Sequence, residues 1–359
     1  MNSTRISDDD EILDGGYLPV NAERIEARLN EIWQKTNHQD RENRPMVKLC
    51  LSNVIIVTDA LKRPEAENLA NDLAKMQPAR ILLIVIDEVL KTYCSFVRTA
   101  CAFNEETDSV VCWEIVEILS DPARSDNIAG AVRSLLVDSV PVLTVDCRLS
   151  SSTPHFDSSI ANLSSCYFFG NDDERNARST IPRLSLLWYK LLPVRELIST
   201  LFSARMAKNR ATTLSNCRVL FSKECRDEAL LLFGWIISRL VQSGGEVRAS
   251  MSVEVRTPMG VSHIDFVRKP ETSNACIEFD FIDRTSANID LSSGAWDNED
   301  MPREFSFEMD GVTCRRASNE TTLGRYIINA SKQRVEFEEY ETANTVIRTT
   351  LHDIDSFTA

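Results

Sequence analysis

Acidic residues follow directly after three apolar runs in the first half of the chain. They lie in the segments Thr58-Asp59-Ala60, Asp87-Glu88 and Asp146-Cys147-Arg148. Ligands of parallel α/β sheets bind at the carboxyl ends of the strands, and a carboxylate there accepts a hydrogen bond from a ribose hydroxyl or coordinates a metal ion. The same residue types also cap helices or form solvated turns, and this second interpretation is the one that we favour.

Sequence motifs for phosphate binding and for the common catalytic chemistries are absent. The chain contains no GxGxxG, GxxxxGK[ST], GxSxG, HExxH or CxxC, and its four histidines are scattered singly. It has only 11 glycines, about half the usual share. From these absences we predict no catalytic residues, no cofactor-binding residues, no cofactor and no metal site. The expectation is a protein that is not an enzyme.

The cysteines are expected to be thiols. The N-terminus is acidic and lacks the apolar core of a signal peptide, and no apolar run is long enough to cross a membrane, so we predict a cytoplasmic protein. Disulfides are rare in that compartment. Cys94 and Cys101 are our first choice for redox thiols, because the intervening SFVRTA could bring them close on a helix or loop, and on a helix a spacing of seven places both on one face. They would then lie about 10 Å apart, too far for a disulfide without a bend.

Charge is distributed unevenly along the chain. Lys and Arg total 40 against 54 Asp and Glu, a net charge of -14, which argues against nucleic acid or an anionic membrane as the main partner. The stretch from Arg175 to Ser215 is the exception, because Glu196 is its only acidic residue. Such a segment is either a solvated helix face or a docking helix for an acidic protein surface or a phosphorylated ligand.

The order of predicted elements indicates an α/β protein. Strands and helices alternate from residue 46 to about 175, which is typical of a Rossmann-like, mostly parallel sheet with helices on both faces. The second half alternates apolar and polar residues in several short runs, and Asp310-Gly311 is a hairpin signal. We predict an acidic lead and N-terminal helix (1–45), a Rossmann-like domain (46–178), a basic helical segment (179–215) and an α+β domain with an antiparallel sheet (216–350).

The basic helical segment combines an apolar row with charged residues. Trp188, Leu191 and Leu192 are expected to anchor it in the core or at a domain junction. Pro193 is expected to kink or break the helix, since proline removes one backbone hydrogen bond. The predicted partner-binding residues flank that bend: Arg183, Lys190, Arg195 and Glu196.

The segment LSLLWYKLLPVRELISTLF (184–202) resembles the LLW..L.P.RELI...F motif of OpcA, the glucose-6-phosphate dehydrogenase assembly protein family. The upstream order of ARILLIVID, SVVCWEIVEI and VPVLTVDCRL is similar too, and the resemblance spans about residues 45–345. It implies a non-catalytic assembly factor or allosteric activator that binds glucose-6-phosphate dehydrogenase, the NADP-dependent entry to the pentose phosphate pathway. In photosynthetic members it also implies redox control by thioredoxin.

Two alternatives stay open beside this resemblance. One is a small-molecule sensor or enzyme that binds a nucleotide or sugar phosphate through the N-terminal α/β domain. The other is a scaffold unrelated to carbon metabolism. Binding of NADP or a sugar phosphate by the pure protein would favour the first, and the proteins that co-purify would identify the second.

Overall fold

The computed structural model describes most of the chain. The described residues are 18–20, 24–37, 46–48, 50–87, 89, 94–104, 109–121, 125–148, 159–170, 181–207, 214–221, 226–242, 246–248, 253–257, 260–268, 275–291, 304–309, 312–317, 322–333 and 335–350. Within them, no helix is both long enough and apolar enough to cross a membrane.

The chain forms two compact units. The first comprises 1–185 and 322–333, and the second comprises 186–321 and 334–359. This division differs from the predicted one. The predicted basic segment 179–215 is not separate, because its first residues form a strand of the first unit and its helices belong to the second. Most of the predicted acidic lead lies outside the described residues.

The first unit is built on a nine-stranded sheet. Its strands are β1 (Leu18–Val20), β2 (Met46–Lys48), β3 (Ser52–Asp59), β4 (Ala79–Ile86), β5 (Cys94–Asn104), β6 (Ser109–Ser120), β7 (Val142–Asp146), β8 (Cys166–Phe169) and β9 (Arg183–Ser185). The order across the sheet is β1-β5-β6-β4-β3-β7-β8-β9. The short strand β2 lies off this path and pairs in parallel with the first part of β6.

The parallel part of this sheet has the strand order of dinucleotide-binding folds. With β3 taken as the first strand, the order is third (β6), second (β4), first (β3), fourth (β7), fifth (β8) and sixth (β9), and every neighbouring pair is parallel. The sheet grows in one direction from β3 to β6 and then reverses, so that β7 lies on the other side of β3. The predicted Rossmann-like parallel sheet is thereby confirmed.

Helices cover both faces of the sheet because its central strands are mostly apolar and buried on both sides. Every residue of β4 is buried. The helices of the first unit are α1 (Ile25–Asn37), α2 (Arg63–Met76), α3 (Ser125–Leu135) and α7 (Leu323–Lys332). Ile25 of α1 and Ile128 of α3 join one core cluster with Leu82 of β4. The opposite face of the sheet is covered by α2, on which α7 packs.

The second unit is an α+β structure, as predicted. Its eight strands are β10 (Leu214–Phe221), β11 (Glu246–Arg248), β12 (Val253–Thr257), β13 (Gly260–Arg268), β14 (Ala275–Phe281), β15 (Ser286–Leu291), β16 (Glu304–Met309) and β17 (Val312–Ala317). They lie in the order β11-β12-β13-β10-β14-β15-β16-β17, and among the described strands of this unit the β10–β13 pair alone is parallel. Met309 pairs with Val312, which confirms the predicted hairpin.

The helices of the second unit include the predicted basic segment. They are α4 (Leu186–Lys190), α5 (Leu192–Ala207), α6 (Arg226–Gln242) and α8 (Val335–Thr350). The predicted break near Pro193 is confirmed, because Leu191 separates α4 from α5 and Pro193 is the second residue of α5. Proline is tolerated there, since the first-turn N–H groups have no partner within the helix.

Candidate functional site

The carboxyl edge of the parallel sheet collects the three acidic segments singled out in the sequence. Asp59 ends β3 and pairs with Ile86 at the end of β4, while Asp146 ends β7 and pairs with Val57 of β3. Asp87 follows β4 directly, and its backbone N–H donates to the carbonyl of Ser120 at the end of β6. The reversal of strand order between β3 and β7 therefore lies between two of these acidic strand ends.

At the end of β7, the acidic residue is used internally. Asp146 accepts hydrogen bonds from Arg148 Nε and from the hydroxyl of Tyr167, both at 2.9 Å. All three side chains are buried. A buried carboxylate needs such a partner, because an isolated charge would be costly away from water. Asp146 thus stabilises the junction of β7 and β8 and is not exposed to a ligand.

At the end of β4, the acidic residue stays accessible. Asp87 is half-buried, and its Oδ1 accepts a hydrogen bond from the backbone N–H of Val89 at 2.9 Å. A carboxylate has two oxygens and about four acceptor positions. The turn contact therefore leaves most of its acceptor capacity for a ligand.

The turn between β3 and α2 has no glycine. Residues Ala60–Lys62 form a 3₁₀ turn, and the Asp59 side chain makes no capping hydrogen bond to it. Leu61 at the tip is 85% exposed. In dinucleotide-binding folds glycines at this turn let the diphosphate approach the backbone. Ala60 and Leu61 stand at this turn instead, so it lacks the glycines that allow such an approach.

A charged cluster lies beneath the first turn of α2. Arg63 Nε lies 2.7 Å from Oε1 of Glu117 in β6, and Arg63 Nη2 donates to Glu117 Oε2 at 3.0 Å. Arg63 Nε also donates to Glu67, one turn along α2, at 2.9 Å. Burial raises the pKa of the Glu117 carboxyl above its ordinary value, and the Arg63 charge offsets this only in part.

Sequence reasoning missed this cluster, although a signal was available. Glu117 lies in the strand segment Val111–Ser120, on the same face as Trp113 and Ile115. A charged residue on the buried face of an apolar strand needs a partner. That partner, Arg63, lies 54 residues earlier. Within the described residues, no group of three or more His, Cys, Asp and Glu side chains could hold a metal ion.

The predicted docking face is not assembled as expected. Arg183 is 8% exposed in β9 of the first unit, where its guanidinium lies over the rings of Tyr167 and Phe169. Arg195 is 4% exposed and belongs to the second unit. Lys190 and Glu196 are half-buried. Burial therefore takes Arg183 and Arg195 away from a docking surface, whereas Lys190 and Glu196 stay partly exposed.

Arg195 has an internal role. It pairs with Glu336 at 3.0 Å and Glu339 at 3.4 Å on α8, and its guanidinium lies 3.9 Å from the centre of the Trp188 ring. Trp188 Nε1 donates to the same Glu336 carboxylate at 2.8 Å. These contacts attach α4 and α5 to α8.

The predicted anchor residues differ in burial. Trp188 and Leu191 are fully buried within the second unit, and the Trp188 ring makes an edge contact with Tyr340. Leu192 and Pro193 are only half-buried. The apolar row of the segment thus contributes to the core chiefly through Trp188 and Leu191.

The predicted redox pair, Cys94 and Cys101, is corrected by the strand structure. Both residues lie in β5, not on a helix, and Cys101 forms a disulfide with Cys112 of β6. Cys101 and Cys112 are directly opposite in the antiparallel β5–β6 pair, whereas Cys94 is opposite Leu119. The expectation that every cysteine is a thiol is wrong for this pair.

Comparison with known proteins yields structural likeness only. No family model and no curated protein matches the chain. A dehydrogenase (MviM) from Clostridium difficile is 10% identical, and the match covers 83% of this chain and 98% of that one, with a TM-score of 0.38. KijD10, a 3-ketoreductase from Actinomadura kijaniata solved with NADP and TDP-benzene, is 9% identical over 86% of this chain and 98% of its own, with a TM-score of 0.41.

These findings correct the function predicted from the sequence. The predicted OpcA-type assembly factor or allosteric activator is corrected, because no family model matches the chain and the similar structures are described as a dehydrogenase and a 3-ketoreductase. The prediction that the chain is not an enzyme is corrected with it. Glucose-6-phosphate dehydrogenase and thioredoxin were expected as partners only through that resemblance, and they lose their basis with it.

Proposed function

We propose that the first unit binds a nucleotide-type small molecule at the carboxyl edge of its parallel sheet. The observation that carries this proposal is the reversal of strand order between β3 and β7. In doubly wound sheets, ligands bind in the crevice outside the carboxyl ends of the strands at such a reversal. Such metabolites are found in the cytoplasm, and the predicted cytoplasmic location is kept as part of this proposal.

Asp87 is the residue that would recognise the sugar of the ligand. It follows the second strand of the nucleotide-binding order, where an acidic residue accepts hydrogen bonds from ribose hydroxyls. Its half-buried carboxylate retains acceptor capacity beside the bond from Val89. A carboxylate attracts hydroxyl donors and repels a 2′-phosphate, so we expect NAD to bind more tightly than NADP.

Two exposed apolar side chains near this edge are further evidence for a ligand that contains a flat ring. Leu61 follows β3 and Val89 follows β4, and each is 85% exposed. Because β3 and β4 are adjacent, both turns lie at the same edge of the sheet. Burying these side chains against a nucleotide base would be favourable by about 25 cal/mol for each Å² removed from water.

The test is a calorimetric titration of the full chain with adenosine, NAD, NADP and glucose 6-phosphate. We expect adenosine and NAD to bind, and Asp87→Asn to weaken NAD binding about tenfold, the worth of one charge-assisted hydrogen bond. Asparagine keeps an Oδ1 acceptor for the Val89 N–H, so the turn should persist. The same substitution should reduce the difference in affinity between NAD and NADP.

Asp138→Asn is the matched control. Asp138 is exposed in the turn before β7, at the amino edge of the sheet, and its substitution should change none of the four affinities. The proposal fails if no ligand binds, or if the Asp87 and Asp138 variants behave alike.

A further inference from the structure

Arg63 is held in place by a buried carboxylate. The Glu117 side chain is 0% exposed. Its Oε2 accepts a hydrogen bond from Arg63 Nη2 at 3.0 Å, and its Oε1 lies 2.7 Å from Nε as an ion-pair contact without a hydrogen bond. The Nε–H donates to Glu67 at 2.9 Å, so two carboxylates hold the guanidinium by different nitrogens.

One part of the same guanidinium remains available. The Arg63 side chain is 37% exposed. Its contacts with Glu67 and Glu117 use Nε and Nη2. Nη1 takes no part in them and carries two N–H donors. A fixed, half-exposed guanidinium with donors to spare is suited to binding an anion.

Arg63 is the first residue of α2 and follows the 3₁₀ turn directly. That turn has Ala60 and Leu61 where glycines would let a phosphate group approach the backbone. A fixed cation beside the turn would supply the donors that the backbone cannot offer. Lys62, which is half-buried, adds a second positive charge at the same place.

Stability alone does not account for a glutamate at position 117. Replacing a buried ion pair by apolar residues of similar size is often neutral or stabilising. The neighbours of Glu117 on its face of β6, Trp113 and Ile115, are apolar and buried. The buried charge is explained if its use is to orient Arg63.

We propose that Glu117 is a positioning residue that holds Arg63 to bind a phosphate group of the ligand, in place of a glycine-rich loop. This inference rests on the proposed function and adds the recognition of the phosphate. The anion is bound by the side chain of Arg63, with Lys62 beside it.

The test compares ADP with adenosine, two ligands that differ only in the diphosphate, by calorimetry on the full chain. We expect the unmodified protein to bind ADP about tenfold more tightly than adenosine. Arg63→Lys should abolish that ratio and leave adenosine affinity unchanged, since the compact ammonium group lacks the planar fork that holds Glu117 on one side while it presents Nη1 to the phosphate on another. Arg28→Lys is the matched control, because Arg28 is also paired with a glutamate, Glu31 on α1. It should leave the ratio of ADP to adenosine affinity unchanged.

Glu117→Gln tests the positioning role separately. Glutamine keeps one acceptor oxygen but loses the negative charge that holds the guanidinium, and the ADP-to-adenosine ratio should fall about threefold. A merely structural role would lower both affinities together. Melting curves of each variant verify folding, and the Glu117 variant decides the question if Arg63→Lys does not fold.

The outcomes separate this inference from the proposed function. If adenosine binds and ADP binds no more tightly, the inference is overturned and the proposed function stands. The inference is also overturned if the ratio is unchanged in both the Arg63 and Glu117 variants. If neither ligand binds the unmodified protein, both proposals fail.

Discussion

Burial decides which charged side chains of this protein are available to a ligand. Arg148 and Arg195 are buried and bound to carboxylates of the protein itself. Arg63 has a similar ion pair but is more than a third exposed, and Asp87 is half-buried. Residues of the same chemical type thus have different roles according to their exposure, which is why the candidate site is at the carboxyl edge of the first unit.

At the residue scale, Arg195→Ala should destabilise the protein by about 3 kcal/mol. It would remove the ion pairs with Glu336 and Glu339 and the packing of the guanidinium on the Trp188 ring, while Trp188 and Arg239 would remain as partners of the two carboxylates. Lys190→Ala is the control on the neighbouring helix and should change the free energy of unfolding by less than about 0.5 kcal/mol. Urea denaturation of both variants gives the comparison. Equal effects would contradict the internal role of Arg195.

Helices α6 and α8 of the second unit approach each other closely at Gly234. At Gly234 of α6, an added Cβ would lie 2.6 Å from Ile347 Cγ1 and 2.7 Å from the carbonyl oxygen of Ala343, both on α8. The absent side chain therefore lets the two helix backbones come together. In α3 of the first unit, a Cβ at Gly130 would meet nothing within 4 Å.

At the element scale, Gly234→Ala and Gly130→Ala should have opposite effects. Alanine is favoured over glycine in a helix by about 1 kcal/mol, so Gly130→Ala should stabilise by about that amount. Gly234→Ala should instead destabilise by about 1–3 kcal/mol, because overpacking outweighs propensity. Thermal unfolding of both variants measures this. Stabilisation by Gly234→Ala would show that α6 and α8 are not in such close contact.

The first unit is not continuous in sequence. Residues 322–333 return to it after the second unit has begun, and the chain therefore passes between the units three times. A Cβ at Gly324 of α7 would lie 3.4 Å from the Cβ of Asp72 and 3.5 Å from the backbone nitrogen of Leu73, both on α2. The helix that bears Arg63 is thus packed against a late segment of the chain.

At the whole-molecule scale, the fragment 1–185 should be less stable than the same fragment joined through a Gly/Ser linker to residues 322–333. Without α7, apolar surface on α2 becomes exposed to water, and we expect a loss of about 3 kcal/mol. The measurement is the unfolding transition of each fragment in urea. Identical transitions would show that α7 contributes nothing to the first unit.

Much of the fold could be predicted from the sequence. The β-branched and apolar runs of β3, β4 and β7 identified buried parallel strands, and Pro193 located the break between α4 and α5. The site was predicted less completely. The acidic strand ends were found, but Arg63 and Glu117 were not, because nothing in either local segment identifies the other. The motif-like segment 184–202 led to a wrong family, since its apolar row serves the internal packing of Trp188 and Leu191.

The sequence by itself determined the type and order of most elements, because periodicity and strand composition reflect the burial of residues close along the chain. Only the tertiary structure decided which distant residues meet. Cys101 pairs with Cys112 because β5 and β6 lie antiparallel in a given register. Arg63 meets Glu117 because β6 lies two strands from β3, under α2. Such pairings depend on strand order and register, which are properties of the packed sheet and are absent from local sequence patterns.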